Sequence, residues 1–160
     1  MTTTRATTLA LLAAALLTAG CSATTSDAPV ATPVALQPCD WVTADEAAAV
    51  LGGPVTTSPH DDQSDAGEMS CGYSRGIGDN GMTSELQLSG TFPVAPANAT
   101  PIEGVGVKAH CVIEPTTTPP STTLVVSLSG GRLYRVTGWY TPSCDSLKQL
   151  AKAAVGRIGP

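Results

Sequence analysis

Residues 124–140, LVVSLSGGRLYRVTGWY, decide the fold of this chain. The apolar runs Leu124 to Leu128 and Leu133 to Tyr140 flank the segment Ser129-Gly130-Gly131-Arg132. Two apolar runs of strand length on either side of a Gly-Gly turn predict a β-hairpin. We therefore expect the C-terminal half of the chain to be built on an antiparallel strand pair.

A helix is predicted directly after this hairpin. Ser143 is a suitable N-cap, and Asp145 suits the positive end of a helix. Apolar residues then recur at helical spacing with polar residues between them: Leu147, Leu150, Ala151, Ala154, Val155 and Ile158. One face of this helix should therefore pack on the sheet.

A second helix is predicted near residue 44. Thr43-Ala44-Asp45-Glu46 has the spacing of a capping box, with Thr43 as the N-cap and Glu46 three residues later. Gly52-Gly53-Pro54 should end the helix, because Gly terminates a helix readily and Pro prevents its continuation. Two helices thus bracket the strands.

Three further strands are predicted between the first helix and the hairpin. They cover Cys71 to Arg75, Thr83 to Ser89 and Val107 to Glu114. Asp79-Asn80-Gly81 has hairpin-turn chemistry, and residues 91–106 should form a surface crossing. The predicted fold is α+β: an antiparallel sheet of about five strands, stapled by disulfides, with an N-terminal and a C-terminal helix packed on it.

Residues 1–20 have the features of an export signal. Arg5 is followed by an uncharged Ala/Leu-rich run, 6–19, which is shorter than the roughly 20 apolar residues that span a bilayer. Thr18-Ala19-Gly20-Cys21 resembles the bacterial lipobox, with Thr where Leu is more usual. This resemblance implies that Cys21 is lipidated and anchors the protein to the outer face of the cell membrane. An ordinary signal peptide with a chance cysteine is the alternative.

After Cys21 the chain is expected to form a tether and then one domain. Residues 21–38 are rich in Thr, Ala, Ser and Pro and show no apolar period, which is typical of an extended or flexible linker. Residues 39–160 are long enough for a single domain. The chain carries 8 basic and 13 acidic residues, a net charge of −5, and this balance argues against a nucleic-acid partner.

Four cysteines are left for the domain once Cys21 is set aside. An even number in an exported chain favours two disulfides, for which three connectivities are possible. We favour Cys39–Cys71 and Cys111–Cys144, because each bond would tie a helix start to a strand. A bond that closes about 33 residues is worth roughly 3–4 kcal/mol in the chain-entropy model.

Several short motifs together resemble one family. The segments are Gln37-Pro-Cys-Asp-Trp-Val-Thr43, Val50-Leu-Gly52, Cys71-Gly-Tyr73 and Ile102-Glu-Gly-Val-Gly106, with Cys144 ahead of Leu147. They resemble an uncharacterised family of actinobacterial surface lipoproteins, domain of unknown function three-five-five-eight. The resemblance covers most of residues 37–158. It implies an exported, disulfide-bearing α+β domain and no catalytic residues.

The remaining motifs do not favour catalysis. The segment 76–81 matches G-x-G-x-x-G, but a strand is predicted after it, whereas dinucleotide binding needs a helix there. The polar stretch with His60, Asp61, Asp62, Asp65 and Glu68 is expected to be a loop, and its spacing does not fit an EF-hand. His60 and His110 are the candidate bases. We predict no metal, cofactor or catalytic site.

Trp139 and Tyr140 are weak candidates for a binding site. Neighbouring residues on a strand point to opposite faces, so one ring could lie in the core and the other outside, where it could anchor a ligand or partner. The alternative is that both rings cap the edge of the core near Pro142. The prediction is a lipid-anchored, non-catalytic module that binds a small molecule or an envelope protein. An envelope hydrolase, which could use His60 or His110, and a structural cell-envelope spacer are the alternatives.

Overall fold

A seven-stranded antiparallel sheet, with two α-helices on one face, makes up the described part of the chain. This computed structural model describes residues 37–62, 67–76, 80–140 and 142–160. The predicted export signal, the predicted lipidation site Cys21 and the predicted tether up to residue 36 lie outside the described residues. Gln37 and Pro38, at the end of that tether, belong to the folded unit, since Pro38 is buried in a 3₁₀ helix.

The strands follow an order that differs from their order in the sequence. Along the sheet the order is β1-β2-β3-β7-β6-β5-β4, and every neighbouring pair is antiparallel. In chain order the elements are a 3₁₀ helix Pro38–Asp40, α1 Ala44–Leu51, β1 Thr56–Asp62, β2 Glu68–Ser74, β3 Gly81–Gln87, β4 Thr100–Ile102, β5 Lys108–Glu114, β6 Ser121–Ser127, a 3₁₀ helix Ser129–Gly131, β7 Leu133–Trp139 and α2 Cys144–Ile158.

The predicted count of about five strands is wrong, because both edge strands were missed. β1 has the sequence TTSPHDD, in which no apolar residue alternates with a polar one, and its end from His60 onward falls in the stretch that the sequence predicts to be a loop. β4 is only three residues long and lies within the predicted crossing 91–106. Both strands are held by backbone pairing to one neighbour, and they lack the apolar face by which a strand is recognised in a sequence.

The predicted helix starts are confirmed. The Thr43 hydroxyl accepts a hydrogen bond from the Glu46 amide at 3.2 Å, and the Glu46 carboxylate accepts one from the Thr43 amide at 2.8 Å. Gly52 ends α1 in the left-handed conformation, with φ of 79°. At α2 the Ser143 hydroxyl accepts from the Ser146 amide at 3.2 Å. These caps satisfy amides that would otherwise lack partners at the helix starts.

The predicted hairpin of residues 124–140 is confirmed as β6 and β7. Leu124 faces Val136 and Val126 faces Tyr134 in its register. The same residues of β7 pair with β3 on the other side, so the hairpin lies at the centre of the sheet. The chain between β3, which lies inside the sheet, and the edge strand β4 consists of residues 88–99, which we call the strap.

One face of the sheet, which we call the helix face, carries the core. Leu124, Val126, Tyr134 and Val136 are each 0% exposed there. Two polar groups buried in this face are paired: the hydroxyls of Ser84 and Tyr134 lie 2.9 Å apart in a hydrogen bond. The core also takes residues from both helices, among them Ala47, Leu51, Leu147, Leu150, Ala151 and Ala154. The opposite face we call the open face.

Two disulfides fasten the helical layer to the sheet. Cys39, in the first 3₁₀ helix, is bonded to Cys71 of β2, and Cys111 of β5 is bonded to Cys144 at the start of α2. This is the connectivity that the sequence analysis favours. The sulfur atoms are buried on the strand side, since Cys71 and Cys111 are both 0% exposed.

Candidate functional site

A cleft of about 290 Å³ lies where β5 and β7 end and β6 begins. One wall comes from the β5–β6 connection, and the other comes from the chain between β7 and α2. The lining residues are mostly apolar or hydroxyl-bearing: Ile113, Pro115, Pro120, Ser121, Thr122, Tyr140, Pro142 and Ser143. Clefts of roughly 300 Å³ are at the small end of ligand sites, so this one suits a single side chain or a small ring.

Gly138 and Pro142 set the wall next to α2. A Cβ atom at Gly138 would overlap the ring of Pro142, so Pro142 can lie directly on β7 only because residue 138 has no side chain. Pro142 is buried, and Ser143 immediately after it caps α2. The close approach therefore fixes both the cleft wall and the start of the helix.

Tyr140 has a costly backbone conformation in this wall. Its φ is 75°, which among the described residues is the only positive φ outside glycine. For an L-residue with a Cβ this conformation costs about 1–2 kcal/mol. The Tyr140 amide donates to the Pro120 carbonyl oxygen at 2.9 Å, which joins the two walls of the cleft. The residue is 50% exposed, so its ring contributes little to the core.

Apolar side chains are exposed on both sides of the opening. Ile113 is 51% exposed and Tyr140 is 50% exposed, although both are large and hydrophobic. The hydroxyl-bearing residues Ser121, Thr122 and Ser143 line the same cleft. Exposed apolar residues beside polar ones mark binding surfaces more often than single scattered apolar residues do.

The charges next to the cleft are negative. None of its eight lining residues carries a formal charge, whereas Glu114 lies between two of them in the sequence and Asp145 follows Ser143 by two residues. Both acids are exposed. The Ser121 hydroxyl, which lines the cleft, donates to the Glu114 carboxylate at 3.4 Å. The Glu114 carboxylate beside the cleft favours a partner that carries positive charge.

The structure separates Trp139 from Tyr140. Tyr140 lines the cleft, while Trp139 lies on the open face, where its ring packs near Gly81. Neither ring lies in the core, since Trp139 is half-buried and Tyr140 is exposed. The core side of β7 is occupied by Tyr134, Val136 and the bare backbone of Gly138.

The two candidate bases do not meet. His60 is exposed on the edge strand β1, whereas His110 is 5% exposed on β5. Five strand spacings separate β1 from β5, which is about 24 Å at the usual 4.8 Å per spacing. The Nδ1 atom of His110 has no hydrogen-bond partner. The two imidazoles therefore cannot act on one substrate atom.

The other sequence motifs bring no reactive groups together within the described residues. Asp65 and residues 77–79 lie outside them, as do the side chains of Asp61 and Asp62. After the glycine motif comes strand β3 rather than a helix. Among the described residues no three His, Cys, Asp or Glu side chains are placed to hold one metal ion.

Comparison with protein-family models, with curated proteins and with solved structures finds no match to this chain. The fold and its bonds define the class: a disulfide-stapled α+β domain suited to an oxidising, extracytoplasmic environment. In the part of the chain that the structure describes, neither helix is long and apolar enough to cross a membrane.

Proposed function

We propose that this protein is a lipid-anchored binding module on the outer face of the cell membrane, and that it docks a partner protein in the cleft at Tyr140. Two disulfides support export, because such bonds persist outside the reducing cytosol. The anchor is proposed from the lipobox-like residues that end at Cys21, and membership of the lipoprotein family is part of the same proposal.

The observation that carries the proposal is the strained, half-exposed Tyr140. Glycine adopts a φ of 75° without the Cβ penalty, so folding by itself would favour glycine there. The tyrosine ring is 50% exposed and gains little burial energy in return. Backbone strain of this kind is concentrated at functional sites. The presence of an exposed tyrosine at this strained position is therefore best explained by a partner that covers the ring.

The partner should present an apolar side chain with a lysine or arginine beside it. Ile113, Tyr140 and the prolines offer an apolar surface, and aromatic residues are enriched at the centres of protein interfaces. Glu114, whose carboxylate is hydrogen-bonded to the lining residue Ser121, supplies the negative charge that would pair with the cation. The volume of about 290 Å³ limits the inserted group to one side chain.

Site-specific photocrosslinking in cells that carry the full chain tests the proposal. A benzophenone amino acid at position 140 should yield one crosslinked envelope protein. The matched control is the same probe at Val94, which is 94% exposed and is not one of the residues that line the cleft. The yield from position 140 should fall in an Ile113→Ser background and in a Glu114→Lys background. Identical products from positions 140 and 94 would contradict docking at the cleft.

The anchor has its own test. The substitution Cys21→Ser should move the protein from the membrane fraction to the soluble exported fraction, and the mass of the mature wild-type chain should include the lipid. Membrane association that survives Cys21→Ser would remove the anchor from the proposal and leave the cleft unaffected.

A further inference from the structure

The strap, residues 88–99, crosses the open face of the sheet. The Gly90 amide donates to the Gly131 carbonyl oxygen at 2.9 Å, and Gly90 lies against the side chain of Leu133. Further along, the Phe92 ring meets the His110 ring edge-on, with 5.1 Å between ring centroids. The strap thus covers part of the open face, where Leu133 is 5% exposed and Val125 is 6% exposed.

His110 is buried beneath this strap with one ring nitrogen that makes no hydrogen bond. It is 5% exposed, and its Nδ1 atom has no partner. Its cross-strand neighbours are Pro101 of β4 and Val125 of β6, neither of which can accept a hydrogen bond through its side chain. A neutral imidazole tolerates these surroundings far better than a charged one would.

The charges that face His110 also oppose its protonation. The strap, β4 and β6 contain no ionisable residue. On β5 itself, Lys108 lies two residues away on the same face, and its ammonium is 5.2 Å from the centre of the Phe92 ring. Beyond Val125 comes Arg135, which is paired with Glu85 at 3.0 Å.

The remaining acids of the neighbouring elements are displaced along the strands. Glu114 ends β5 four residues from His110, about 13 Å along an extended chain. Glu103 lies in the connection after β4, two residues beyond Pro101. A proton on His110 would therefore be desolvated, next to Lys108, and without a carboxylate opposite it.

We propose that protonation of His110 releases the strap from the open face and uncovers Leu133 and Val125. The change needs no other chemistry, since a proton from solvent is the only reactant. Burial lowers the pKa of His110 below its ordinary value, so the ring is neutral near pH 7 and the strap is closed. Once the strap lifts, the ring reaches water and takes up the proton at its ordinary pKa.

Amide hydrogen exchange of the full, disulfide-bonded chain between pH 7.5 and pH 5 tests this proposal. We expect the protection of the Gly90 amide to fall by about tenfold per pH unit once the pH is below about 6, because opening is linked to uptake of one proton. The reference is the Tyr140 amide, which is bonded to Pro120 at the cleft and should show no such fall.

Variants separate His110 from other causes. His110→Gln should abolish the pH dependence at Gly90, whereas the matched control His60→Gln, at the exposed histidine of β1, should retain it. Phe92→Ala removes the ring that holds the strap, so it should give low protection at every pH even if His110→Gln fails to fold. A flat wild-type profile, a pH-dependent fall preserved in His110→Gln, or loss of protection at Gly90 and Tyr140 together would overturn the proposal.

Discussion

The helix face and the open face of the sheet come from the same strands and differ in how they treat polar groups. On the helix face Ser84 and Tyr134 are both 0% exposed and are hydrogen-bonded to each other. On the open face Glu85 and Arg135 form an ion pair that water reaches, while His110 is buried with an unpaired nitrogen. The helix face is a packed core, whereas the open face retains His110, a group whose protonation can change with pH.

This difference indicates which residues set the stability of the fold and which residues can respond to a change of pH. The apolar residues at the centre of the helix face are buried, so changes there alter the free energy of unfolding. Residues on the open face and in the connections at the ends of the strands contribute less to that energy. They are therefore free to carry strain at Tyr140 and an unsatisfied nitrogen at His110. The predictions below test this division.

The largest loss in the free energy of unfolding is expected when a disulfide that holds the helix layer to the sheet is removed. Replacing Cys111 and Cys144 together by alanine should cost about 3.5 kcal/mol, because the bond closes a 33-residue separation in the unfolded chain. Urea unfolding at pH 7 measures this. The pair Cys39 and Cys71, with a separation of 32, should cost nearly the same, and a loss below about 1 kcal/mol in both would contradict the chain-entropy account.

The two faces can be compared directly on neighbouring residues of β6. Leu124→Ala, on the helix face, should cost about 3 kcal/mol because the side chain is 0% exposed and leaves a cavity. Thr123→Ala, on the open face, loses only a 3.1 Å hydrogen bond to Thr137 and should cost about 1 kcal/mol or less. Denaturant midpoints of the two variants give the comparison. Equal losses would show that the open face is packed as a core.

Acid should weaken the helix layer through Glu46. A bidentate ion pair with Arg157 of α2, at 2.7 and 2.8 Å, lowers the pKa of Glu46 from 4.5 to about 2. Because the folded pKa is below the unfolded one, the stabilisation is complete above pH 4.5 and is lost as the pH falls towards 2. Since the pair is partly exposed, we expect about 1–2 kcal/mol rather than the full linkage value.

The control for this pH effect is a variant without the carboxylate. In Glu46→Gln the part of the stability loss that falls between pH 4.5 and pH 2 should shrink, while the profile above pH 5 stays parallel to that of wild type. Thermal unfolding at a series of pH values measures both. An unchanged acid profile in Glu46→Gln would mean that other carboxylates dominate.

The smallest effect on stability is expected at the cleft, where a substitution should stabilise the protein rather than destabilise it. Tyr140→Gly should leave stability unchanged or raise it by about 0.5–1 kcal/mol, since glycine removes the Cβ strain at a φ of 75°. The same change should abolish partner crosslinking from a benzophenone at position 113. A marked loss of stability would instead assign Tyr140 a structural role.

The elements that could be predicted from the sequence are those with a recognisable local pattern, such as a helix cap or an apolar alternation next to a glycine turn. The caps Thr43 and Ser143 were found because a hydroxyl and the amide that it binds are three residues apart. The β6–β7 hairpin was found from its apolar alternation and its glycines. β1 was missed because an edge strand that contains Pro59 and two aspartates has no apolar face to recognise. β4 was missed because three residues are too few to show a period.

The candidate site was predicted only in part. Tyr140 was named from its aromatic ring beside a strand end, and it does line the cleft. Its left-handed backbone had no signal in the sequence, because a non-glycine residue is not expected there. The sequence does not single out Ile113, Pro120 and Pro142, since they come from β5, from the β5–β6 connection and from the chain between β7 and α2, and meet only in the folded chain.

The amino-acid sequence by itself determined the two helices, the central hairpin and four cysteines able to form two disulfides, and it predicts the export features that end at Cys21. These depend on interactions between residues a few positions apart or on composition. The tertiary structure decided that β7 pairs with β3, and this order sends the strap across the open face above His110. It also brought the walls of the cleft together. Strand order and cleft depend on which apolar faces pack against each other over long separations, and no local pattern encodes that choice.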